Sequence, residues 1–136
     1  MYKTLPNVAW VQREQHIFNS AADKVDFLIK CNAGPETCIE LKVESLFDSA
    51  GEGRSTMPHT KWRTVNDDVV KLRDDRNGTY RNQPAYVVAI VWSNEAIAGM
   101  DKWLPSSGLT FEREQYLADH EGSKWAVTVY VITVTV

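Results

Sequence analysis

The ten residues Pro84–Ser93, PAYVVAIVWS, constrain the fold more than any other stretch of the chain. They are apolar on both alternating faces, and a proline and a serine bound them. Such a run fits a central strand buried on two sides better than a strand with one wet face. The chain ends on a second strand, Trp125–Val136, WAVTVYVITVTV, in which threonines alternate with β-branched residues. As a terminal strand it would leave an unpaired edge open to association. Upstream, Lys24–Cys31 and Thr37–Val43 read as two strands, with Asn32-Ala33-Gly34-Pro35-Glu36 as the turn of a β-hairpin.

Helices are expected between these strands. Thr60–Asp75 places Trp62, Val65, Val69 and Leu72 at helical spacing, with Thr60 or Thr64 as cap and Asn77-Gly78 as a left-handed stop. Its remaining positions mix Lys61, Arg63, Lys71, Arg73 and Arg76 with Asp67, Asp68, Asp74 and Asp75, the pattern of a solvated face. A second helix runs from Asn94 through Trp103 and stops at Leu104–Gly108. Phe111–Glu121 reads as polar and weakly helical. At the N-terminus Pro6-Asn7 can open a helix ahead of Val8, Trp10 and Val11, and Arg13–Phe18 is strand-like. Asp48–Pro58, with Arg54 inside it, has no periodicity and reads as a loop. Together these elements predict one α/β (α+β) domain over residues 1–136: a central mixed β-sheet flanked by helices.

The 136 residues suffice for one core, and 43% hydrophobic with 24% charged content is ordinary for a globular protein. The net charge of −3 argues against a protein that simply coats nucleic acid. No apolar run is long enough for a membrane span, and the N-terminus lacks the apolar centre of a signal peptide. A cytoplasmic protein, or a domain delivered into a target cytoplasm, is the expectation, with no membrane partner. Cys31 and Cys38 do not have zinc-site spacing. They read as reduced thiols, with a cross-strand disulfide as the other option. The chain has no glycine fingerprint for phosphate binding, and Ser93, Asp119 and His120 show no nucleophile elbow.

The hairpin holds the charges that need explaining. Asp26 lies inside an apolar strand, and Glu40 and Lys42, two residues apart, leave the same face of the next. Buried ionisable groups cost several kcal/mol unless they pair or hold a cation. Two carboxylates, with the Leu41 carbonyl, offer hard oxygen ligands for Mg²⁺ (or Mn²⁺), and a lysine beside them can steady a phosphate. On an ordinary two-sided strand the same charges would pair with Lys30 and each other instead.

Asp26, a loop, then Glu40-Leu41-Lys42 resembles the PD-(D/E)XK nuclease superfamily over roughly residues 13–93, with Val25-Asp26 where the family has Pro-Asp. The resemblance implies a restriction-endonuclease-like αβββαβ core and Mg²⁺-dependent hydrolysis of phosphodiester bonds in nucleic acid, DNA favoured and RNA the alternative. It makes Asp26, Glu40 and Lys42 catalytic, with Asp26, Glu40 and the Leu41 backbone holding metal. Glu14 matches the further acid that some members add. Lys61 and Lys71 match the basic residue that the following helix turns toward the phosphate. A toxin or mobile-element nuclease would fit this size. A homodimer and a cognate immunity or inhibitor protein are the partners implied. The other function class is a non-catalytic protein-binding module, such as an immunity or inhibitor protein on a similar fold.

Overall fold

The computed structural model describes residues 7–44 and 61–135. It is a mixed sheet carrying two helices. In chain order the elements are β1 (Val8–Gln15), β2 (Val25–Cys31), β3 (Glu36–Val43), α1 (Lys61–Asp74), β4 (Ala85–Val91), α2 (Asn94–Ser107), β5 (Thr110–His120) and β6 (Ser123–Val134). The six strands lie in the order β1-β2-β3-β4-β6-β5. Every neighbouring pair is antiparallel except β3 and β4. A parallel pair needs a crossover, and α1 lies within it. Among the described residues no helix is long and apolar enough to cross a membrane.

Alternation sets the core. Cys38, Ala85, Val87, Ala89, Val91, Tyr130, Ile132 and Val134 face one side and are buried. Val65, Val69 and Leu72 of α1 and Ala96, Met100 and Leu104 of α2 close over them. Trp62 and Trp103 stack between the helices with centroids 5.7 Å apart. β4 is therefore central, as its sequence predicts, but only alternate residues are fully buried, and Tyr86, Val88 and Ile90 on the second face are half-buried.

Three element expectations are corrected. Residues 8–15 form a strand, because Asn7 takes φ 69° in a turn and so cannot cap a helix. Phe111–Glu121 falls almost wholly in the strand β5, not a helix. Its residues have no helical stripe because an edge strand here leaves nearly all its side chains in water. β6 is not the free edge, since β4 and β5 pair with it on either side, and β5 is.

Helix ends follow local chemistry. Ser93 caps α2, its hydroxyl accepting from the Ala96 N–H at 3.1 Å. The same hydroxyl donates to Glu44, a buried carboxylate that also accepts from the Trp92 and Ser93 N–H groups. Gly108 ends α2 at φ 77°, a left-handed geometry that suits glycine. α1 ends at Asp74, and neither Asn77 nor Gly78 is left-handed. Cys31 and Cys38 are free and lie on opposite faces, so no bridge joins them. The expected loop 48–58 lies outside the described residues.

Candidate active site

Register brings the two hairpin acids together. Phe27 pairs with Ile39 and Leu28 with Cys38, so Asp26 comes opposite Glu40 and shares its face. Lys42 leaves β3 on that face two residues later. The Leu41 N–H donates to Asp26 Oδ2 at 2.7 Å. A strand residue sends its N–H and C=O to the same edge, so the Leu41 carbonyl opens on the Asp26 side as well.

α1 lays two further charges over this pair. Lys71 Nζ lies 2.8 Å from Glu40 Oε1 and 3.8 Å from Asp68 Oδ1, and Lys42 Nζ lies 3.2 Å from Asp68 Oδ2. The signs alternate along Glu40, Lys71, Asp68 and Lys42. The Lys71 ammonium also sits 4.9 Å from the centroid of the Phe18 ring, which favours its charge. Proximity is not full satisfaction here. Glu40 Oε1 and Asp68 Oδ2 are buried with no partner in hydrogen-bond geometry.

Glu40 is only 3% exposed. Burial pushes its carboxyl up to about 7; Lys71 pulls it down and Asp26 pushes it further up. At Lys71 burial opposes the charge, but Glu40, then Asp68 and Asp23, outweigh it and hold the ammonium above its ordinary value. Both groups are raised, which favours the neutral acid but the charged lysine: Glu40 is nearly sealed, so burial dominates, whereas a quarter of the Lys71 side chain stays in solvent and its carboxylate neighbours dominate. Glu40 is thus an acid that changes charge near neutral pH, beside a lysine that stays charged.

Outside this network lies an open cleft of about 360 Å³, lined by Asp26, Leu41 and Lys42 together with Arg13 and Glu14. Glu14 falls opposite Asp26, between the pairs Arg13–Phe27 and Gln15–Val25. Its φ of 54° is left-handed, a conformation that costs a non-glycine residue on the order of 1 kcal/mol. Arg13 lies over the Phe27 ring, 5.9 Å from its centroid.

The residues expected from sequence therefore meet as follows. Asp26 faces Glu40 on one side and Glu14 on the other, Lys42 shares the Glu40 face and the Leu41 N–H bonds Asp26, but Glu14 and Glu40 lie two strands apart. Lys71 reaches Glu40 rather than the open cleft. Lys61 begins α1, and its side chain lies outside the described residues. Asp68 and Arg13 were not anticipated. The signal for Asp68 was its spacing: Val65, Asp68, Val69 and Leu72 follow i, i+3, i+4, i+7 and share the inward face. Among the described residues no three His, Cys, Asp or Glu side chains gather closely enough to hold a metal ion. The donors at hand are two facing carboxylates, a main-chain carbonyl and, across the cleft, Glu14.

No protein-family model matches the chain, and neither does any curated protein or solved structure. Fold and side chains define it only as a mixed α+β protein with a carboxylate–lysine cluster between β3 and α1.

Proposed function

We infer that the chain is a metal-dependent nuclease of the PD-(D/E)XK kind, hydrolysing phosphodiester bonds in nucleic acid, with DNA as the first substrate to test. The observation that carries this reading is Asp26 facing Glu40 from the neighbouring strand, with Lys42 on the same face and the Leu41 N–H on Asp26, beside a cleft that Asp26, Leu41 and Lys42 line and behind which Glu40 is buried. The order β1-β2-β3-α1-β4, with β4 parallel to β3, supports it.

The donors suit Mg²⁺ or Mn²⁺ in kind. They are hard oxygens, few enough to leave the ion most of its waters, and Glu40 Oε1 is buried with Lys71 Nζ 2.8 Å away as its counter-charge. Asp26, Glu40 and the Leu41 carbonyl would hold the ion, with Glu14 across the cleft. A bound divalent ion would supply charge neutralisation and a more acidic water. Lys42, a third exposed, binds and orients the scissile phosphate. Arg13 gives the mouth of the cleft a second cation, which offsets the negative net charge where the substrate approaches. A homodimer would be required for cutting both strands of a duplex.

Gel assays with single- and double-stranded DNA and RNA, with Mg²⁺ or with EDTA, test the proposal. Metal-dependent cleavage that disappears in Glu40→Ala, with its circular dichroism unchanged, supports it. Cleavage by Glu40→Ala at the wild-type rate refutes the assignment.

One observation favours a second reading, a non-catalytic binding module such as an immunity or inhibitor protein. Glu40, Lys71, Asp68 and Lys42 already neutralise one another without any ion. Metal titration separates the two: a nuclease site gains thermal stability with Mn²⁺, and a binding module does not.

A further inference from the structure

Arg76, just beyond α1, is the largest fully buried side chain among the described residues, only 2% exposed. Its Nε donates to the Leu72 carbonyl at 2.5 Å, and its Nη1 donates to the carbonyls of Tyr80 at 2.9 Å and Gln83 at 2.6 Å. These bonds use three of the five guanidinium donors. Nη2, with the other two, is buried and has no hydrogen-bond partner. Carbonyls carry no formal charge, and among the described residues no carboxylate forms an ion pair with Arg76. The nearby Cys38 thiol is not its counter-ion: burial raises that thiol by more than Arg76 lowers it, so it stays protonated. Glu36 is close enough to act on the same thiol but does not pair with Arg76. A buried cation lacking an anion is costly, and an arginine cannot shed its proton to escape the cost.

Arg76 is buried but stands at the wall of an open space. Arg76 lines a cleft of about 340 Å³ where β4 begins and β6 ends, and Arg81, Gln83, Thr133 and Thr135 line it too. We propose that this cleft binds a phosphate monoester, with Arg76 Nη2 and Arg81 as its cationic pair and the Thr133 and Thr135 hydroxyls as neutral donors. Two guanidinium groups match a dianion in charge, whereas a carboxylate would leave one of them uncompensated. The three carbonyl bonds hold the Arg76 fork in place before any ligand arrives, so little side-chain freedom is lost on binding. The site stands apart from the Asp26–Glu40 cluster and does not depend on the nuclease reading.

The test uses the intact chain with inorganic phosphate as the probe, against sodium chloride of equal ionic strength. At ten times its dissociation constant, phosphate raises the melting temperature by about 5 °C for a chain of this length. Arg81→Ala, at an exposed position, folds normally and binds phosphate about tenfold more weakly. Arg76→Lys removes the fork and with it the response. No shift beyond that of chloride, or an undiminished shift in Arg81→Ala, overturns the proposal whatever Arg76→Lys does. Short oligonucleotides with a 5′-phosphate or a 5′-hydroxyl identify the source. Tighter binding of the phosphorylated oligonucleotide than of inorganic phosphate assigns the cleft to a nucleic-acid end. Equal affinity assigns it to a free phosphate ester.

Discussion

The acid–base behaviour of Glu40 can be read directly from stability. Its carboxyl titrates near pH 4.5 in an unfolded chain and at about 7 in the folded one. Between those values the native state binds the extra proton, so stability falls as pH rises from about 4.5 to 7 and levels off above. The sign is opposite to that of a salt-bridged surface carboxylate, because desolvation outweighs Lys71. With one pKa unit worth about 1.4 kcal/mol, the span from pH 8 to pH 4.5 contributes roughly 3 kcal/mol. Glu40 is almost sealed, so solvent screening takes little from this value. The assay is urea unfolding in EDTA at several pH values, comparing the wild type with Glu40→Gln. At about 2 kcal/mol per molar urea, the wild-type midpoint moves about 1.5 M further between pH 8 and 4.5 than that of the variant. Parallel profiles for the two proteins would show that Glu40 is ordinary and that Lys71, not burial, governs it. On the proposed nuclease reading Glu40 must be deprotonated to hold a metal, so Mn²⁺ binding is expected to strengthen as pH rises through about 7.

Three further outcomes follow from the geometry. Lys71→Met costs about 2 kcal/mol at pH 8, where it strands the Glu40 charge, and little at pH 5, where Glu40 carries its proton; urea titrations at both pH values check this. Ser93→Ala removes the cap of α2 and one donor to Glu44, lowering stability by about 2 kcal/mol in calorimetry. Glu14→Gly relieves the left-handed φ and gains about 1 kcal/mol of stability, while Mn²⁺ binding measured by calorimetry weakens.

What could be read in the sequence followed how strongly each segment is committed by its own pattern. β4, β6 and the β2–β3 hairpin carry dense β-branched or alternating residues, and each appears within about two residues of its expected place. β5 gave no such signal, because Phe111–His120 has one neighbouring strand and scarcely any buried face. Alternation on β3 put Glu40 and Lys42 on one face, and hairpin register added Asp26. Asp68 and Lys71 looked like members of a solvated mixed-charge face, since the sequence does not say which strand a helix will cover. Arg76 was misread for the same reason. Its carbonyl partners at Tyr80 and Gln83 follow it closely in the chain, but a carbonyl leaves no mark on residue type.

The single parallel junction between β3 and β4 has a kinetic consequence. On one side of it, residues 8–43 form an antiparallel meander; on the other, β5 and β6 form a hairpin, and β4 meets β6 only after α2 and β5 have intervened in the chain. The hairpins can zip from nearby contacts, whereas β4 must join β3 on one side and β6 on the other, each across roughly forty residues or more, the slower kind of event. Glu40 sits beside β4 on β3, so the dry surroundings that unsettle its proton exist only once β4 has been captured, and its protonation reports that long-range step.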